Sequence, residues 1–101
     1  MATPARAATS DAATFTIVGE DHTLGNALRY CLNANPDVAL CGYSVPHPMT
    51  REVRVRVQTT GARGTTAQRA MRDALLDVIS VCDHVREAYA RAERAFEAKK
   101  T

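Results

Sequence analysis

From Thr66 to Lys99 the chain contains neither proline nor glycine. Apolar residues recur through this stretch in steps of three and four: Ala67, Met71, Ala74, Val78, Cys82, Val85, Tyr89, Ala92 and Phe96, with Leu75 and Ile79 widening the stripe. That spacing predicts one helix with a helix-packing seam. Pairs such as Arg69 with Asp73 and Glu87 with Arg91 stand at i,i+4, where opposite charges add small support. Roughly 33 residues at ~1.5 Å each make a rod of about 50 Å. A compact domain of about 100 residues is only some 34 Å across. With 101 residues in all, the chain has room for one domain, which cannot shelter the whole rod. Each large apolar side chain left in water forgoes about 1.5–3 kcal/mol. Three or four of them rival the ~5–15 kcal/mol net stability of a small domain. Pattern alone leaves three outcomes open: a coiled-coil-like homodimer, a heteromer, or a frayed Ala-rich tail after about Ala88.

The rest of the chain supplies a small sheet and one more helix. In "TFTIVGE", Phe15 and Ile17 alternate with Thr14, Thr16 and Val18, the period of a strand. Asp21 or Thr23 can cap a following helix, in which Leu24, Leu28, Cys31 and Leu32 share one face. Asn35 and Pro36 end it, because the residue before a proline avoids the helical region. "VALCGY" (38–43) reads as a second strand, and the prolines of "SVPHPMT" make a loop. "EVRVRVQT" is the clearest strand, with Val53, Val55 and Val57 on one face and Glu52, Arg54, Arg56 and Gln58 on the other. Gly61 and Gly64 bracket a break. The order β-α-β-β-α implies a two-layer α+β domain: a small antiparallel sheet, helices covering one face, and a long C-terminal helix. Residues 1–13 are expected to be a disordered tail and 14–98 the folded domain.

Composition excludes more than it selects. The formal net charge is +2, from 13 basic and 11 acidic residues, which gives no prior for nucleic acid or membranes. Cys31, Cys41 and Cys82 are odd in number and lack a CxxC spacing, so a reducing compartment is expected. The N-terminal stretch has no hydrophobic core of the secretory kind, and no apolar run approaches ~20 residues. The chain reads as soluble and intracellular.

The candidates for chemistry are few. His22 sits at a helix N-terminus, where positive charge is disfavoured, so a packing or capping role is expected. His47 lies between prolines in a loop, and His84 points away from the stripe that carries Cys82. No HxxxH or CxxC spacing suits zinc. Asp73 and Asp77 read as a solvated helix face. Neither intrinsic catalysis nor a cofactor is expected. Arg51, Arg54 and Arg56, with Arg63, Arg69 and Arg72, could form a basic patch. The aromatic interleaving of a single-strand nucleic-acid platform is missing, and a solvated face or a polar contact to a neighbouring subunit fits better.

Gly25 stands inside the first turn of the first helix, where glycine costs about 1 kcal/mol relative to alanine. Tight packing by the backbone of another protein would account for it. Together with the overlong last helix, it predicts one continuous surface for a companion chain.

"HTLGNALR" (22–29), "NPDVALCGYSVPHP" (35–48) and "RVQT" (56–59) resemble, in that order and spacing, the small alpha-like subunits of cellular RNA polymerases. The LGNALR element is also similar to the dimerisation helix of the bacterial alpha subunit. The resemblance covers about Phe15 to Phe96. "NPDV", "CGYSVPHP" and "CDHV" (82–85) are closer to the member shared by polymerases I and III than to its polymerase II counterpart. The resemblance implies a nuclear, including nucleolar, non-catalytic assembly subunit that heterodimerises with a larger alpha-like subunit. That pair would form the platform for the two largest, catalytic subunits, with no sequence-specific nucleic-acid contact and no membrane. The polymerase II equivalent is the alternative, and a free-standing dimeric nucleic-acid-binding module a third. By analogy Leu24, Gly25, Asn26, Leu28 and Arg29 are expected at the heterodimer interface. Periodicity adds Leu32, Met71, Leu75, Val78, Cys82, Val85 and Tyr89.

Overall fold

The structure, a computed structural model, describes residues 11–100. Its elements run β1 (Ala12–Val18), α1 (His22–Asn33), β2 (Val38–Ser44), β3 (Glu52–Thr59) and α2 (Ala67–Lys100), with a single 3-10 turn over Ala62–Gly64. The three strands form one antiparallel sheet in the order β1-β3-β2. Both helices pack on one of its faces, the α+β arrangement expected from the sequence.

Alternation decides which face is which. Phe15 lies opposite Val55 and Ile17 opposite Val53, while Tyr43 and Cys41 flank Val55 and Val57 from the other side. These side chains meet Leu28 and Leu32 of α1 and Ala67, Ala70, Met71 and Ala74 of α2 in one core. Phe15, Leu28, Leu32, Met71 and the three β3 valines are its largest fully buried members. The opposite face carries Thr14, Thr16, Arg54, Arg56 and Gln58 to solvent.

The paired chain begins two residues earlier than the pattern of β-branched residues marks. Ala12 and Ala13 pair with Gln58 and Val57, and Ala13 is buried. Alanine has no strand preference of its own, and here β3 supplies the ladder. The expected tail otherwise falls on residues 1–10, outside the described residues.

Asp21 caps α1 by accepting from the Thr23 amide at 3.0 Å. That bond holds the Asp21 carboxyl below the usual carboxylate range, with Arg51 adding to the effect and partial desolvation opposing it. At the other end, Asn35 Oδ1 accepts from the Asp37 amide, so the NPD turn closes on itself. The break after β3 uses positive φ at Gly61 (80°) and Gly64 (69°), which glycine adopts without a steric penalty. Arg63 between them also sits at φ 57°, held there by Asp37.

The i,i+4 ion pairs expected along α2 do not close. Among the described residues the pairs within 4 Å are Arg51–Asp21, Arg54–Glu52 and Arg63–Asp37. Exposed long side chains gain too little from such contacts to fix their rotamers.

Candidate dimerisation surface

α2 has 34 residues, about 51 Å at ~1.5 Å each. The molecule extends 60 Å along its longest axis, and its radius of gyration is 17.1 Å, against about 13 Å for a compact chain of this size. The difference is helix without a sheet beneath it. The buried residues of α2 are Ala67, Ala70, Met71 and Ala74, all in its first three turns. Leu75 and Val78 are half-buried against the core, and beyond them only Ala88 and Ala90 lose substantial exposure.

The apolar pattern continues after the cover stops. Met71, Val78 and Val85 are seven residues apart, as are Leu75, Cys82, Tyr89 and Phe96, interleaved as in a coiled-coil seam. Both rows begin in the core and run out along the same face. Val85 is 59% exposed, Tyr89 67% and Phe96 61%. Ile79 and Val81 flank the seam, also exposed. Three such side chains forgo roughly 5–9 kcal/mol if never buried.

α1 lies beside the point where the cover ends. Cys31 is buried there, and its thiol is pushed up first by burial and then by the nearby Asp77 carboxylate. Asp77 is exposed, as expected of a solvated helix face, and close enough to α1 for its charge to reach Cys31. Leu24 is half-buried against the core, and Asn26 and Arg29 are exposed.

The expected interface residues divide. Leu24, Asn26, Arg29, Leu75, Val78, Cys82, Val85 and Tyr89 keep some or all of their surface open. Gly25, Leu28, Leu32 and Met71 do not: they are buried by this chain's own sheet and helices. Leu32 and Met71, expected from periodicity, and Gly25 and Leu28, expected from the motif resemblance, lie on helix faces that meet this chain's own β3 valines, Phe15 and Tyr43. Exposed Tyr30, Leu76 and Val81 fall outside the expected set. Val81 could have been found by widening the stripe on α2; Tyr30 carries no signal beyond its apolarity.

Gly25 also needs correcting. A Cβ there would lie 2.6 Å from Tyr43 Cδ2 and 2.9 Å from Val53 Cγ2. The group that excludes a side chain is an aromatic ring of β2, in the same polypeptide, and no foreign backbone is required. The neighbouring motif residues complete the cradle of that ring. His22 meets it edge-on, with centroids 5.6 Å apart and its Nδ1 3.2 Å from Tyr43 Oη. The Arg29 guanidinium lies 5.6 Å from the ring centroid, within cation–π range, and Arg29 Nη2 donates to Asn26 Oδ1 at 2.9 Å. His22, Gly25 and Arg29 thus dock α1 on β2.

A second cluster was not foreseen. Arg63 Nε donates to Asp37 Oδ1 at 3.1 Å, Thr65 Oγ1 donates to Asp37 Oδ2 at 2.9 Å, and the Thr60 amide donates to the Asp37 carbonyl. The hydrogen bonds from Arg63 and Thr65 hold the Asp37 carboxyl below the usual range. This staple ties the α1–β2 turn to the loop that launches α2, and so sets the direction of the long helix.

Among the described residues no group of three or more His, Cys, Asp or Glu side chains is placed to hold a metal. The three cysteines are free thiols: Cys31 buried, Cys41 half-buried and Cys82 exposed. Among the described residues no helix is long and apolar enough to cross a membrane.

A small sheet is covered by two helices, one overrunning it with a bare heptad seam, an architecture that leaves a helical face open to another chain. The sequence agrees: residues 12–88 match the RNA polymerase Rpb3/Rpb11 dimerisation domain, and the chain belongs to that family. It is 46% identical over 89 residues to the Saccharomyces cerevisiae DNA-directed RNA polymerases I and III subunit RPAC2, covering 88% of this chain and 61% of that protein. Its Schizosaccharomyces pombe counterpart is 46% identical over 86 residues, 85% of this chain and 67% of the relative. A probable RNA polymerase II subunit RPB11 of Caenorhabditis briggsae shares 46% over a shorter stretch of 69 residues, 68% of this chain and 55% of the relative. The chain therefore spans about three-fifths of the budding-yeast relative's length.

Proposed function

We propose that the chain is a non-catalytic assembly subunit of DNA-directed RNA polymerases I and III, pairing with a larger alpha-like subunit. The observation that carries the reading is the exposed seam of Val85, Tyr89 and Phe96 on α2, continuous with the core, in a chain of the dimerisation-domain family. A non-identical companion lays its own helices along this seam and beside Leu24, Asn26 and Arg29 of α1. The pair then serves as the platform for the two largest subunits, in the nucleus including the nucleolus. The shared polymerase I and III role, rather than that of polymerase II, is supported by the yeast relatives, whose similarity runs over more of the chain.

Val85→Asp combined with Tyr89→Asp tests the interface without touching the chain's own core, since both side chains are exposed. Val78 is less suitable because it also packs on the core. Co-purification of the larger alpha-like subunit with the tagged chain should be lost in the double variant, and undiminished pairing contradicts the assignment. The companions of the wild-type chain decide the polymerase: subunits of I and III together support the reading, those of II alone oppose it.

A further inference from the structure

The sheet ends in two edge strands, and they differ. β2 is interrupted by a bulge between Val38 and Leu40, one of the ways edges are protected from pairing. β1 reads AATFTIV, with no charge, proline or bulge. At its two ends the Thr59 amide donates to Asp11 O at 2.6 Å and the Gly19 amide to Arg51 O at 2.8 Å. Antiparallel alternation then turns the odd-numbered residues of β1 towards β3, and Thr14, Thr16 and Val18 direct their N–H and C=O groups away from it. Beside the Thr14–Val18 edge, which no strand among the described residues pairs with, runs a groove of about 570 Å³, lined by Phe15 of β1 and by Met71, Leu75 and Leu76 of α2, with Arg69 and Arg72. Both arginines are exposed, and neither has a carboxylate within 4 Å among the described residues. Both stand in the opening turns of α2, whose first turn holds no acid, at the end of a helix where cations are disfavoured.

We propose that β1 accepts an added strand from another polypeptide, an extended segment with an apolar residue for the groove and a carboxylate for Arg69 and Arg72. Its main chain pairs along Thr14–Val18, the side chain on the helix side packs beside Phe15 and Leu75, and the acid meets the two guanidinium groups. Charge excludes the nearer occupants. A second copy of β1 brings no acidic residue, and residues 1–10 of this chain contain Arg6 and no acid. The groove shares Met71 and Leu75 with the start of the α2 seam, but Val85 and Tyr89 lie outside it, so the two readings fail separately: Val85→Asp with Tyr89→Asp leaves strand addition intact.

The test uses the full chain and a fluorescent seven-residue peptide, threonine at alternate positions with leucine, glutamate and leucine between them. Its twin carries lysine for glutamate. Anisotropy should show the glutamate peptide bound at least about tenfold more tightly than the twin. Arg69→Glu with Arg72→Glu should exchange that preference, a gain that misfolding cannot mimic. Thr16→Pro removes only an amide aimed away from β3 and should abolish binding. N-methylating the peptide's pairing amides should do the same with the protein unaltered. The proposal is overturned if neither peptide binds at millimolar concentration, or if backbone methylation leaves affinity unchanged. It is equally overturned if binding appears only after residues 1–10 are removed, or if the chain instead forms a dimer that Thr16→Pro dissolves.

Discussion

The two halves of α2 share one apolar repeat and meet opposite fates. Up to Val78 the helix lies on the sheet and beside α1, and its inward side chains are buried or half-buried. After Val78 the same repeat continues through Cys82, Val85, Tyr89 and Phe96, all exposed. Sequence periodicity is identical on both sides of that boundary, because it records that a face will be buried and says nothing of which chain buries it. Topology makes the distinction: three strands of seven or eight residues give a sheet too small to follow a helix of 34.

Substitutions should separate the halves sharply. Leu28→Ala or Met71→Ala, in the covered region, should cost the lone chain about 2–5 kcal/mol in denaturant unfolding, as truncations in packed cores do. Val85→Asp with Tyr89→Asp should leave that stability within about 0.5 kcal/mol per site while abolishing pairing. Large destabilisation by the second pair would mean the bare half is supported within the monomer.

A smaller effect probes the α1–β2 contact. Gly25→Ala gains about 1 kcal/mol of helix propensity but drives a methyl into Tyr43 and Val53, an overpacking that costs about 1–3 kcal/mol. A net loss of stability in the lone chain, largely relieved when Tyr43→Ala is added, is the expected double-mutant result. If Gly25→Ala instead leaves the lone chain unaffected and disrupts only pairing, the glycine serves a partner after all.

The smallest effect is a pH dependence at the root of α2. Asp37 has a lowered pKa in the folded chain, so the unfolded chain takes up this proton first as pH falls. Its contribution is complete above the ordinary carboxylate pKa of about 4 and is lost as pH drops through the folded value. Asp37→Asn should therefore be less stable than wild type near neutrality, with the gap narrowing below about pH 4 in thermal unfolding followed by circular dichroism.

The sequence made the strands and helices legible wherever local pattern carries the signal. The alternating valines of β3, the Asp21 cap and the unbroken run of α2 all appear where spacing puts them. What escaped depends on residues distant along the chain. The reason for Gly25 is a tyrosine ring on β2, and the role of Asp37 rests on Arg63 and Thr65, across two strands and two loops. Leu32 and Met71 fit an interface by pattern because an amphipathic face does not name its cover, and the motif that carries Leu28 does not name it either. The seam itself was legible, since a rod of that length outruns a sheet of three short strands.

Hydrogen exchange along α2, measured on the chain alone and on its complex with the larger alpha-like subunit, tests the central claim most directly. Amides of Ala67–Val78 should be protected in both samples. Those from residue 79 onward should exchange rapidly in the lone chain, through local opening, and slow by at least about tenfold in the complex. Equal, strong protection of both halves in a dilute monomer would show that the rod needs no companion, and would contradict the account.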